Sequence, residues 1–109
     1  MLPKSKRQTT EAFTEIIEKG QSFHGPFLIL RALPHPGEST FSVSVPKKVA
    51  KLAVNRNKIR RQIYSLISKL NYRTGFGVII IIKSESKKLN FLQLNDELNK
   101  IFVKSGLLK

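Results

Sequence analysis

The sequence contains no cysteine, which excludes a disulfide framework, a thiolate zinc site and a cysteine nucleophile. Its two histidines, His24 and His35, are too few for a histidine-rich metal site, and neither has an acidic partner placed beside it. No apolar run of signal-peptide length follows Met1. No stretch approaches 18 consecutive apolar residues either, since the longest, residues 78–82 (Val-Ile-Ile-Ile-Ile), is strand-sized. Acidic side chains are scarce: 7 Asp+Glu against 20 Lys+Arg in 109 residues, a net charge of +13. The length predicts a single domain over residues 1–109, able to bury ~65% of its unfolded surface in one modest core. These absences together predict a small, soluble, cytoplasmic protein.

The excess charge is segregated. Residues 39–84 hold no acid, yet they carry Lys47, Lys48, Lys51, Arg56, Lys58, Arg60, Arg61, Lys69, Arg73 and Lys83. The acids flank this stretch: Glu11, Glu15, Glu18 and Glu38 before it, and Glu85, Asp96 and Glu97 after it. A solvated helix face ordinarily mixes signs for i,i+4 pairing, whereas a one-signed stripe is the footprint of a polyanion partner, nucleic acid first. Membrane binding is disfavoured, because the basic helix described below needs its apolar stripe for the core and has none left to insert.

Residues 1–8 read as a flexible basic lead-in. Thr9 or Thr10 is a candidate cap for a helix over 10–19, with Ala12, Phe13, Ile16 and Ile17 at helical spacing and Gly20 as the stop. A strand over 26–33, apolar on both alternating sets, is followed by the turn Pro34-His35-Pro36-Gly37. Residues 40–45 alternate Phe41, Val43 and Val45 against Thr40, Ser42 and Ser44, a half-buried strand expected to form a hairpin with the one before. A further short strand fits residues 21–24. A helix over 53–70 has the stripe Ile59, Ile63, Leu66, Ile67 and Leu70. A strand over 76–82, apolar on both faces, takes a central place. Asn90 with Gln93 approximates a capping box for a last helix carrying Phe91, Leu94, Leu98, Ile101 and Phe102 on one face. The expected fold class is α+β, with helices packed on a small mixed sheet.

Seven of the fifteen residues 47–61 are Lys or Arg. With Ile59, Ile63, Leu66 and Leu70 pointing to the core, Asn57, Lys58 and Arg61 lie opposite. Arg56 and Arg60 are one turn apart on a flank, and Lys58 with Arg61 makes a second row around Asn57. Guanidiniums at one-turn spacing can bridge neighbouring phosphates with paired hydrogen bonds. Lys47, Lys48 and Lys51 extend the patch at the helix entry. The bland alternative is that Arg56 and Arg60 snorkel along the core edge. No residue is a candidate for catalysis: there are no paired carboxylates near the patch, no Gly-rich phosphate loop and no histidine–acid constellation in one segment.

Nearly the whole chain resembles the bacterial ribonuclease P protein subunit. The likeness runs from the basic N-terminus and the helix carrying Phe13, through Phe41-Ser42-Val43-Ser44-Val45-Pro46-Lys47-Lys48. It peaks at Arg56-Asn57-Lys58-Ile59-Arg60-Arg61, which looks like that family's Arg-Asn-Arg motif helix, and closes with the aliphatic strand and an amphipathic last helix. The resemblance implies an α-β-β-β-α-β-α sandwich with a left-handed βαβ crossover, against the usual right-handed rule. It implies a protein that assists a catalytic RNA in endonucleolytic removal of the 5′ leader of precursor tRNA. The active site and Mg2+ would be supplied through the RNA, with no cofactor held by the protein and no small-molecule substrate. Lys47, Lys48, Lys51, Arg56, Asn57, Lys58, Arg60 and Arg61 would face the catalytic RNA. A cleft with Phe13, Ile17, Leu30 and Ser44 would hold the single-stranded leader. Several positions depart from the family pattern. Ile17 stands where a second aromatic is frequent, Leu30 where Tyr is, Lys58 for the second motif Arg, Tyr64 for a further Arg, and Ala50 for a Gly, in a segment between Lys48 and Arg56 one residue longer than usual. The alternative is a structural RNA-binding protein of the small ribosomal type.

Overall fold

A computed structural model describes residues 10–108. The basic lead-in 1–8 and the candidate cap Thr9 lie outside the described residues. The first helix, α1, is Thr10–Lys19, and β1, Gln21–His24, follows at once. Then come β2 (Leu28–Pro34), β3 (Thr40–Ser44), α2 (Ala53–Ser68), β4 (Phe76–Ile82), a 3-10 turn (Ser84–Lys88) and α3 (Phe91–Ser105). The architecture is α+β, three helices on a mixed four-stranded sheet.

The sheet order is β1-β2-β4-β3. β2 runs antiparallel to β1 and to β4, while β3 pairs with β4 in parallel. The expected β2–β3 hairpin does not form, because β4 lies between them. The physical reason is burial: β4 is apolar on both faces and takes an interior position, whereas β3 carries serines on one face and suits an edge. Helix α2 is the crossover that makes β3 and β4 parallel neighbours. It ends at Ser68 rather than 70, and Lys69 and Leu70 close it with backbone bonds to Leu66 and Ile67.

Alternation along the strands gives the sheet two unlike faces. One holds Leu28, Leu30, Ala32, Phe41, Val43, Val78, Ile80 and Ile82, packed against Ile63, Leu66 and Ile67 of α2 and Leu94, Leu98, Ile101 and Phe102 of α3. The other holds Ile29, Arg31 and Leu33 of β2, Gly77, Ile79 and Ile81 of β4, and Ser42 and Ser44 of β3, matched in register. Leu30 is therefore corrected: it is 0% exposed in the main core, paired with Ile80, on the face away from α1. Its neighbours Ile29 and Arg31 occupy the face that α1 crosses.

Helix α1 docks through one buried side chain, Ile16. It sits on Gly77, where an added Cβ would meet Ile16 Cδ1 at 2.7 Å, so a larger residue there would make the Ile16 side chain shift. Helix α3 starts with the predicted box: Gln93 N donates to Asn90 Oδ1 at 2.8 Å and Asn90 N donates to Gln93 Oε1 at 2.9 Å. It stops at Gly106, whose φ of 77° is the left-handed cap that glycine supplies without strain. Phe91 departs from its expected place in the apolar stripe. As the first residue of α3 it is 45% exposed, while Leu94, Leu98, Ile101 and Phe102 are buried.

Candidate nucleic-acid interface

The basic segment is positioned from both ends. After β3, Pro46 O accepts from Val49 N at 2.9 Å, and this turn drives Val49 into the core. Lys47 and Lys48, at its outer corner, are left exposed, as is Lys51. At the other end Ile63, Leu66 and Ile67 root α2 in the core, which turns Asn57, Lys58 and Arg61 to solvent. The cap residue Leu52 offers no side-chain acceptor, and the first turn has no acid. The positive end of the helix thus opens among Lys47, Lys48 and Lys51, an arrangement suited to anions.

Arg56 and Arg60 do not form the free cationic row expected of them. The Arg56 guanidinium folds back, Nη1 donating to Lys51 O at 2.8 Å and to Ala50 O at 3.0 Å, so it straps the entry loop to the helix. Arg60 Nη1 donates to Asn57 Oδ1 one turn earlier, which orients both side chains. Arg60 and Arg61, with Asn57, Val54 and Tyr64, line a shallow groove of about 420 Å³ on the outer face of α2. Among the described residues the ion pairs are Lys83–Glu85 (3.8 Å) and Lys100–Glu97 (3.4 Å), and neither involves a cation of residues 47–61. Glu85 is an acid whose field reaches the patch. The Ser84 hydroxyl first, then the Lys83 and Lys48 ammoniums, hold its carboxyl below the usual carboxylate range. The outer face of α2 therefore offers cations that protein carboxylates leave unpaired, the state in which they grip phosphates most effectively.

The second surface lies between α1 and the sheet. On one flank of α1, Ala12, Glu15 and Ile16 line a small pocket with Leu33, Pro34, His35, Pro36 and Gly77. Phe13 and Ile17, one turn apart, lie on the other flank of α1. Phe13 is half-buried and Ile17 is 43% exposed. The floor there is Ile29, Ile81, Ser42 and Ser44, all half-buried, whereas Ile79 beside them is sealed by α1. The structure brings Phe13, Ile17 and Ser44 to one side of the sheet and leaves Leu30 on the other. The cleft combines an aromatic ring, aliphatic flooring and hydroxyls, the mixture a single-stranded base and its sugar require.

Arg31 is the cleft residue that the sequence reading missed. The signal was available: one Arg inside the otherwise apolar Leu28-Ile29-Leu30-Arg31-Ala32-Leu33. Its guanidinium reaches the end of α1, with Nη2 at 2.7 Å from Ile17 O and 2.9 Å from Gly20 O. His35 shares a pocket with Glu15, and His24 shares another with Glu97, Lys100 and Lys104. Among the described residues there is no group of three or more His, Cys, Asp or Glu that could hold a metal ion. No helix among them is long and apolar enough to cross a membrane.

The family model described as Ribonuclease P matches residues 2–106. The chain belongs to the ribonuclease P protein family. It is 31% identical to the ribonuclease P protein component of Pseudanabaena sp., over 99% of this chain and 97% of that one. It is 34% identical to that of Microcystis aeruginosa, over 88% and 86%. The fold matches a mutant Staphylococcus aureus RNase P protein with a TM-score of 0.85 at 24% identity, covering 96% of this chain and 92% of the other. A protein component of ribonuclease P, the tRNA-processing enzyme, is thus the supported reading, and the ribosomal alternative has nothing in its favour.

Proposed function

We propose that this protein binds the catalytic RNA of ribonuclease P through the outer face of α2 and its entry loop, and receives the 5′ leader of precursor tRNA in the cleft beside α1. The observation that carries the reading is the set of unpaired cations at Lys47, Lys48, Lys51, Lys58, Arg60 and Arg61 on a surface with no acid of its own. Arg60 and Arg61 would form direct phosphate bonds. Arg56 would hold the entry loop so that Lys47, Lys48 and Lys51 meet the same strand of RNA. Phe13 would stack on a leader base, with Ile17 beside it and Ser44 on the floor below.

The protein's part in the reaction is binding and orientation. Hydrolysis of the leader phosphodiester, with Mg2+, is assigned to the RNA, and the site of action to the cytoplasm. Cations spread over α2 would also lower the repulsion between two large polyanions, a gain greatest where divalent ions are scarce. Reconstitution tests this directly. Adding the protein to its cognate catalytic RNA at low magnesium is expected to raise cleavage of a leader-bearing precursor. RNA binding without stimulation would reject the assignment.

A further inference from the structure

Arg31 lies in the middle of β2, on the face crossed by α1, and is half-buried. A lone cation in a leader cleft would ordinarily be assigned to a phosphate. Its donors are committed elsewhere. Nε donates to Ile16 O at 3.3 Å, Nη2 to Ile17 O at 2.7 Å and to Gly20 O at 2.9 Å, and Nη1 to Ser22 Oγ. Four of the five N–H donors a guanidinium possesses are thereby used, which leaves no paired fork for a phosphate.

Three of the acceptors are carbonyls at or just past the C-terminal end of α1, where the helix dipole is negative; Ile16 O also accepts from Gly20 N at 2.8 Å. A ten-residue helix cannot stand alone in water and depends on docking. Among the described residues, Ile16 seated on Gly77 and the Arg31 guanidinium at its end both hold helix α1. The first acts as a pivot under the helix. The second ties the C-terminal end of the helix to β2 and so restrains how the helix lies over the sheet face that carries Ile29, Ile81 and Ser44.

Resting on the leader-cleft reading, we propose that Arg31 is a positioning residue: it clamps α1 to β2 and so sets the width of the leader cleft without touching the RNA. Lysine, with one compact ammonium, cannot span four acceptors, so charge alone does not replace it.

The test uses Arg31→Lys, which keeps the charge, and Arg31→Gln, which removes it. Each is assembled with the catalytic RNA and titrated with leader-bearing precursor and mature tRNA across a salt series. Both variants are expected to weaken precursor binding to a similar extent, roughly 10- to 150-fold as for one lost charge-assisted bond. Mature tRNA binding and the salt slope should stay unchanged. A direct phosphate contact would instead leave Arg31→Lys near wild type and make the Arg31→Gln slope shallower by about 0.7, and that result overturns the proposal. Precursor affinity unchanged in both variants also overturns it.

Hydrogen exchange on the free protein gives a readout that needs no RNA and stays available if Arg31→Gln folds poorly. In Arg31→Lys the α1 amides should lose protection while those of α2 and α3 keep theirs. Unaltered α1 protection refutes the clamp. A wild-type holoenzyme without any leader preference would refute the cleft assignment itself, and the exchange result distinguishes that failure from failure of the clamp.

Discussion

Helices α1 and α2 present their working faces by opposite means. Helix α2 is rooted by Ile63, Leu66 and Ile67 in the main core, and its outward cations follow from that anchorage. Helix α1 touches the sheet through Ile16 alone among its buried residues, outside the main core, and is held at its end by a side chain from another element. The cationic face is a property of one helix and the loop that enters it. The cleft belongs to no single element, because α1, β2, β3 and β4 all contribute to it. A surface carried by one helix tolerates change in its neighbours, whereas a surface carried between elements is only as constant as their spacing.

Substitutions that separate the two anchorages test this contrast most strongly. Ile63→Ala is expected to lower global stability by ~2–5 kcal/mol in urea denaturation, and Ile16→Ala by about 2 kcal/mol, the lower end of the range for buried aliphatic truncation. Equal losses would place α1 in the same cooperative core as α2 and remove the distinction. Next in size, Arg60→Ala combined with Arg61→Ala should flatten the salt dependence of catalytic-RNA binding by up to ~1.5 units, at roughly 0.7–0.9 per phosphate contact. An unchanged slope would move the binding surface off α2. Phe13→Ala should weaken binding of leader-bearing precursor by ~1–3 kcal/mol, the worth of a stacked base, and leave mature tRNA unaffected. Equal weakening of both would return Phe13 to a packing role. The smallest effect is expected at the α3 cap: Asn90→Ala should cost about 1 kcal/mol of stability while both RNA readouts stay at wild-type values. A change in either would couple α3 to a surface it does not touch.

The same contrast explains what could be read without coordinates. Periodicity placed all three helices and the capping box of α3, because those patterns are local: Ile63, Leu66 and Ile67 point inward on any helix that spans them. The charge map located the α2 face for the same reason. Strand adjacency is not local. The turn at Pro34–Gly37 looks like a hairpin turn, and only the two-faced apolarity of β4 decides that β4 separates β2 from β3. The Leu30 error has a related cause. Its place in the cleft follows from the family likeness, and in a strand apolar on both alternating sets the pattern does not check that register, so a one-residue slip exchanges Leu30 for Arg31. Arg56 and Arg31 were legible as cations. Their commitment to backbone carbonyls was not, since those acceptors become available only when a loop or a helix end arrives in space.

The position of β4 also bears on how the chain is made. It spans residues 76–82 and is the shared neighbour of β2 and β3. Synthesis proceeds from the N-terminus at about 5–20 residues per second. The cation-rich segment 47–61 therefore leaves the ribosome seconds before the strand that completes the sheet beneath it. During that interval it is a polycation on an unfinished scaffold, surrounded by the RNA of the machine that produced it. Late arrival of the central strand leaves the most basic segment of the chain without its finished scaffold for that interval.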